Sequence, residues 1–324
     1  MKILVVGPSW VGDAVMAQSL YKLILKETKN KIDVLAPKWT LGVLDRMKEV
    51  ETSICSPFDH GEFKFCKRVE FGRSMKSRSY DQAIILTNSL KSAVIPYFSK
   101  IPKRTGWLGE MRYGLINDIR KFDRTKDTLM IEKFAVLADD ISNKNIEIPW
   151  PSLSINTDNL LRLSNNFSFD IERKTLSVCP GAEFGPSKRW PTHYFAEVVL
   201  NYLSKDWQVF ILGSSKDVKI SSEIKEKVPA QYHQNLFNFT GSTKIVDAID
   251  ILSNSNLVLT NDSGLMHIAA AVDSKLLALY GPTSPEFTPP LSKKAKIIKK
   301  VSGMDKTRRG SVAGGYHPSL LMIK

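Results

Sequence analysis

Residues Asn256–Thr260 form an apolar run that enters a short polar corner, Asn261-Asp262-Ser263-Gly264, and then an alanine-rich helical stretch ending at Ala271. A buried strand that turns directly into a helix is half of a βαβ unit, and such units build parallel sheets with helices on their faces. Asp262 or Ser263 is suited to cap the helix, and Gly264 lets another group come close to the backbone. A helix N-terminus carries unpaired N–H groups and a partial positive charge, which suit a phosphate or diphosphate. Asp262 would repel that charge, so it suits hydroxyls beside the phosphate instead. A diphosphate next to a polyol describes a nucleotide-sugar. The plain alternative is an ordinary capped strand-to-helix turn.

The same alternation runs through the chain. In the first half, strands are predicted at Ile3–Val6, Ile32–Leu35, Ala83–Leu86 and Lys103–Trp107. Helices are predicted at Ala14–Glu27, Leu41–Met47, Ser89–Phe98 and Lys126–Ala138 from the spacing of their apolar residues. Ile148–Asn159, with Pro149, Pro151 and a polar run, reads as an inter-domain linker. The pattern then restarts, with strands at Leu176–Cys179, Val209–Leu212, Phe237–Asn238 and Leu276–Tyr280 and helices at His193–Leu203, Val218–Val228 and Ile245–Ser253. Two Rossmann-like halves are expected, with ligands at the carboxyl ends of the strands. A length of 324 residues suits two domains better than one core.

Net charge decides what partners to consider. At +13, the chain favours something anionic: nucleic acid, a phosphorylated substrate or an anionic membrane surface. Lys64, Lys67, Arg68, Arg73, Lys76 and Arg78 interleave with Phe65 and Phe71, and Lys103, Arg104, Arg112, Arg120, Lys121 and Arg124 add charge to the same half. This pattern fits nucleic acid, a phosphorylated lipid head group or a solvated face. No RNA- or DNA-binding signature accompanies it, so nucleic acid is not expected. No run of 18 apolar residues is present, and the first strand does not read as a signal peptide. Any membrane role is therefore expected to be peripheral. Cys55, Cys66 and Cys179 are too scattered for a zinc site and read as free thiols of a reducing compartment. His60, His193, His233, His267 and His317 form no metal set by spacing, and no metal or cofactor is expected.

Two further loops follow strands. Gly7-Pro8-Ser9-Trp10-Val11-Gly12-Asp13 lacks the G-x-G-x-x-G spacing and the P-loop Gly-Lys-Ser/Thr. A nicotinamide-dependent oxidoreductase is thus a weak rival reading. Asp13 is either a general base or a first-turn acid that favours the helix dipole. Pro180–Pro191 combines Gly181, Gly185, Lys188, Arg189 and Trp190. Lys188 and Arg189 suit a leaving diphosphate, or else form a solvated pair beside a core tryptophan.

Four stretches, taken in order, resemble the ADP-heptose lipopolysaccharide heptosyltransferases, glycosyltransferase family 9. They are Gly7–Asp13, Gly185–Pro191, Thr260–His267 and Tyr280-Gly281-Pro282-Thr283-Ser284-Pro285-Glu286-Phe287-Thr288-Pro289-Pro290. The resemblance covers Met1 to about Leu321. It implies an inverting GT-B enzyme: an α/β fold of two Rossmann-like domains whose parallel sheets face a central cleft. Residues 1–150 would bind the acceptor, an inner-core heptose on phosphorylated Kdo-lipid A. Residues 151–324 would bind ADP-L-glycero-D-manno-heptose. A related transferase with a different acceptor is the nearer rival.

The resemblance implies Asp13 as the base and Lys188 as the cation on the leaving group. It places the donor against Gly185, Ser187, Arg189, Asp262, Ser263, Gly264 and His267. Lys64, Lys67, Arg68 and Arg120 are the candidate acceptor residues. The expected location is cytoplasmic, peripheral on the inner face of the inner membrane. The family usually carries cysteines before its late Gly-Tyr-His and continues into a terminal helix. Here Thr307–His317 has no cysteine, and the sequence ends at Lys324.

Overall fold

The computed structural model describes residues 1–59, 61–121, 129–138, 147–183, 185–300 and 316–323. His60, Arg124, Phe184 and most of the cysteine-free late segment, residues 307–315, lie outside them. The chain divides into two compact units, Met1–Pro151 and Ser152–Lys324.

The first unit contains strands β1 (Ile3–Val6), β2 (Ile32–Pro37), β3 (Val50–Ser56), β4 (Gln82–Ile85), β5 (Lys103–Trp107) and β6 (Asp118–Arg120). Its helices are α1 (Val11–Thr28), α2 (Lys38–Leu44), α3 (Phe65–Ser74), α4 (Leu90–Phe98) and α5 (Met130–Ala135). The strands form one sheet in the order β3-β2-β1-β4-β5-β6, and every pair is parallel. All four residues of β1 are buried, because helices cover both faces of a central parallel strand. Leu4, Leu35, Tyr80, Ala83 and Ile95 pack in one core cluster.

The second unit repeats the plan with β7 (Thr175–Cys179), β8 (Gln208–Ile211), β9 (Leu236–Asn238), β10 (Leu257–Asn261), β11 (Leu276–Leu279) and β12 (Ala295–Ile298). Its helices are α6 (Thr157–Phe167), α7 (Thr192–Leu203), α8 (Val218–Glu226), α9 (Ile245–Asn254), α10 (Gly264–Ala271) and α11 (Pro318–Leu321). The order is β12-β11-β10-β7-β8-β9, again all parallel. Val178, Phe195, Val199, Ile211 and Leu259 lie in its core.

Each sheet reverses its winding next to its first strand. The switch lies between β1 and β4 in the first unit, and between β7 and β10 in the second. Loops diverge at such a point and leave a crevice at the strand carboxyl ends.

Within the described residues the expected elements are present with boundaries shifted by a few residues; residues 126–128 of the expected Lys126–Ala138 helix lie outside them. Three strands were not anticipated. β3 and β12 are edge strands without a single fully buried residue, and β6 is only three residues long. The expected linker is also shorter than its composition suggested. α6 begins inside it, with the Asn156 side chain accepting from the Asn159 N–H as an N-cap.

Candidate functional site

In the second unit the fully buried β7 delivers the chain into the Gly181–Arg189 loop at the switch point. Gly181 has a steric reason to be there. A Cβ at this position would lie 2.5–2.6 Å from the Asp217 carboxylate. Gly185 has φ 125°, a conformation that side chains resist, and it starts the single 3-10 turn Pro186–Lys188. Asn261, fully buried at the end of β10, ties this loop down. Its Nδ2 donates to the Pro180 carbonyl at 2.7 Å, and its Oδ1 accepts from the Trp190 N–H at 3.1 Å.

This anchoring brings the Lys188 Nζ within 2.5 Å of Asp262 Oδ2. Both side chains are largely buried, so the pair is only weakly screened. The Thr283 hydroxyl donates to the same Oδ2 at 2.6 Å. Asp262 Oδ1 accepts no hydrogen bond among the described residues. One carboxylate oxygen is thus held by two protein donors. Ser263 is the N-cap of α10, but neither it nor Asp262 caps the helix through its side chain, contrary to the capping expectation. The Asp262 carboxylate is occupied by Lys188 and Thr283 instead.

His267 lies one turn into α10 and is buried. Burial pushes its imidazole pKa down to about 4, the Asp262 carboxylate opposes this, and Lys188 adds to it. It is therefore a neutral polar group at neutral pH. Burial likewise raises the Tyr280 hydroxyl, which donates to the Thr288 carbonyl at 2.7 Å. Arg189 lies 3.6 Å from Asp217 and donates to the Ala182 carbonyl at 3.3 Å. Ser187 is buried in the same turn.

In the first unit a cavity of about 400 Å³ opens at the ends of β1, β2 and β4. Gly7, Trp10, Asp13, Arg68, Lys91 and Lys133 are among its lining residues. Asp13 sits in the first turn of α1, whose N-cap Trp10 provides no side-chain cap. Both readings of Asp13 are therefore compatible: it lines a cavity and favours the helix dipole.

The four expected acceptor cations do not converge. Arg68 lines the cavity, but it is buried and donates to the Phe63 and Glu62 carbonyls at 2.6 and 2.9 Å. Lys64 pairs with Glu62 at 2.5 Å, Arg120 pairs with Asp118 at 2.8 Å, and Lys67 is exposed. Arg112, expected to add surface charge, is fully buried. It donates to the Thr87 and Trp107 carbonyls at 2.7 and 2.5 Å and to the Ser92 hydroxyl at 3.1 Å. Burial lowers its pKa to about 10 and Glu110 opposes that shift, so the group stays charged. Its role is to fix the β4–α4 corner that lines the cavity.

Sequence reasoning gave no role to Thr283, Asn261, Asp217 or Lys91. The available signal was position, since all four fall at or just after strand carboxyl ends. Among the described residues no three His, Cys, Asp or Glu side chains gather as a metal site, and no helix is long and apolar enough to cross a membrane.

A family profile described as glycosyltransferase family 9 (heptosyltransferase) matches residues 68–317. Lipopolysaccharide heptosyltransferase 2 of Salmonella typhimurium is 44% identical over 100% of this chain and 95% of its own length. Lipooligosaccharide heptosyltransferase 2 of Haemophilus influenzae is 43% identical over 100% of this chain and 96% of its own. The solved structure of E. coli ADP-heptose LPS heptosyltransferase II superposes with a TM-score of 0.90 at 41% identity, covering 100% of this chain and 95% of that one.

Proposed function

The chain belongs to glycosyltransferase family 9, the heptosyltransferases, and from that premise we propose that it transfers L-glycero-D-manno-heptose from ADP-heptose to the inner-core heptose of lipopolysaccharide. The observation that carries this reading is the Lys188–Asp262–Thr283 cluster at the switch point of the second sheet. It offers a cation for a diphosphate and an open carboxylate oxygen for a sugar hydroxyl, next to a helix N-terminus without a side-chain cap.

The second unit holds the donor. Lys188 and the N–H groups of Ser263 and Gly264 stabilise the charge that develops on the departing ADP. The Asp262 Oδ1 accepts from a heptose hydroxyl. In the first unit the cavity holds the acceptor sugar. Asp13 takes the proton from its hydroxyl as the oxygen bonds to the anomeric carbon. The bond to ADP breaks on the opposite face, which inverts the centre. A base held within hydrogen-bond reach is typically worth about 10²–10⁴ in rate. Gly185 and Ser187 shape the donor loop, His267 supports it as a neutral group, and Arg189 works through Asp217.

The acceptor's phosphates and the anionic inner face of the inner membrane are the counterpart of the basic first unit. The family membership leaves the nicotinamide reading without support. The experiment is direct: purified protein, ADP-heptose and defined inner-core acceptors, with product followed by mass spectrometry. Transfer is expected to an acceptor that already carries the first heptose. Release of ADP with no glycosylated product from any of them would refute the reading.

A further inference from the structure

Phe63 and Phe65 flank Lys64, and their rings stack 5.9 Å apart at 23°. They are 48% and 46% exposed, and Tyr97 on the neighbouring α4 is 43% exposed. Edge contacts continue the cluster from Phe65 to Phe98 at 6.2 Å and from Phe98 to Tyr97 at 5.2 Å. Single exposed apolar residues are ordinary, but a contiguous aromatic patch marks an interaction surface.

The backbone of the patch is tied to its surroundings. Lys64 has left-handed backbone angles, φ 37° and ψ 56°, a conformation that an ordinary side chain resists. Arg68 fixes it from beneath, donating to the Phe63 and Glu62 carbonyls while its guanidinium lies 4.0 Å from the Phe58 ring centre. A buried arginine thus holds the backbone at Glu62 and Phe63, just before the half-exposed Phe65.

The surroundings are cationic. Residues 62–78 carry six Lys or Arg against Glu62 and Glu70, and Lys67, Arg73 and Lys76 are exposed. Arg73 lies 6.0 Å from the Phe98 ring centre. Aromatic rings at the headgroup level combined with exposed cations are the composition that binds an anionic bilayer surface. Arg68 and Phe58 also line the cavity of the first unit, so the patch adjoins the place proposed for the acceptor.

We propose that the Phe63–Phe65 knuckle, with Tyr97 and Phe98, inserts into the headgroup region of an anionic phospholipid bilayer and docks the first unit there. This rests on the reading above for one point, that the acceptor is lipid-linked.

The test uses the full chain and sedimentation with vesicles of phosphatidylethanolamine and phosphatidylglycerol, against vesicles of phosphatidylcholine. The parent binds the anionic vesicles, and added salt weakens binding. Phe63→Ser with Phe65→Ser lowers that affinity about tenfold or more, through loss of buried ring area. Equal binding by parent and double variant overturns the proposal. So does a double variant that binds vesicles normally but loses self-association, which would make the patch a contact between copies.

Phe65→Trp keeps an aromatic ring and reads insertion directly. Its added emission shifts to the blue on anionic vesicles and is quenched by brominated acyl chains, and an unshifted emission overturns the proposal. Transfer to a deacylated, water-soluble acceptor reads the reaction separately. The double variant keeps it; a parent that binds vesicles without ever transferring heptose would sink the proposed reaction while supporting the docking.

Discussion

Lys188 Nζ donates to Asp262 Oδ2 at 2.5 Å across 74 residues of sequence, linking the loop after β7 to the corner after β10. The two strands are neighbours in the sheet, so their carboxyl-end loops meet although the chain between them makes two more strands. The pair places a cation at the proposed donor site and orients a carboxylate with one contact.

Lys188→Ala should therefore show two effects. Binding of ADP should fall by about tenfold or more while adenosine is little affected, because only ADP presents the diphosphate. The fold should also weaken by about 3–5 kcal/mol, since Asp262 keeps a buried charge without its partner. Calorimetry with both ligands and a denaturant titration check this. Equal losses for ADP and adenosine would remove Lys188 from the diphosphate site.

Thr283 donates to the same carboxylate oxygen that Lys188 holds, and the proposed reading gives the other oxygen, Oδ1, to the sugar. Thr283→Val keeps the shape and removes the hydroxyl. The ADP-heptose KM should rise about tenfold, the scale of a hydrogen bond to a charged group, with ADP inhibition nearly unchanged. Thr283→Ser should restore the parent KM. If the serine variant behaves like the valine one, the hydroxyl is not the operative group.

Asp13→Asn preserves size and removes the proton acceptor. Turnover should drop by about 10²-fold or more with donor binding retained. Single-turnover kinetics with saturating donor measure this. Near-parent turnover would leave Asp13 as a first-turn helix acid and nothing else.

Lys91 lines the cavity of the first unit, whereas Lys64 is engaged with Glu62. Lys91→Glu is expected to raise the acceptor KM more than Lys64→Glu does, with the donor KM unchanged in both. A larger effect at Lys64 would place the acceptor phosphates outside the cavity.

His267 gives a pH signature. Its folded pKa is near 4 against an ordinary 6.5, so below pH 6.5 the unfolded chain takes up a proton that the folded one refuses. Stability should therefore fall as pH drops from about 6.5 to 4, by about 3 kcal/mol from this group, and stay level above 6.5. Chemical denaturation of the parent and of His267→Gln across that window should differ in slope. Parallel curves would mean that the buried imidazole does not drive the change.

Two kinds of difference separate sequence from structure, and each has a physical origin. Arg112 and Arg104 count as surface charge in any composition. Yet Arg112 is fully buried against carbonyl oxygens, and Arg104 donates to the Ile101, Gly114 and Leu115 carbonyls. A guanidinium has five donors, so a loop of free carbonyls can hold it in place of a carboxylate. Nothing local in the sequence separates that from a solvated arginine. β3 and β12 were missed for a related reason. Their partners lie on one side only, so their residues alternate too weakly between apolar and polar to announce a strand.

What the sequence determined by itself is periodic and local. Buried runs such as Ile3–Val6 and Leu176–Cys179, each followed by a polar corner and a helix, specify parallel βαβ units. They also put Asp13, Lys188 and Asp262 at strand carboxyl ends, because hydrophobic burial follows a short repeat readable along the chain. Only the tertiary structure decided which of these side chains meet. The strand order set Lys188 on Asp262 and assigned Thr283 to the same oxygen. Such contacts join residues from loops distant in sequence, and their geometry exists only once the sheets and loops are assembled.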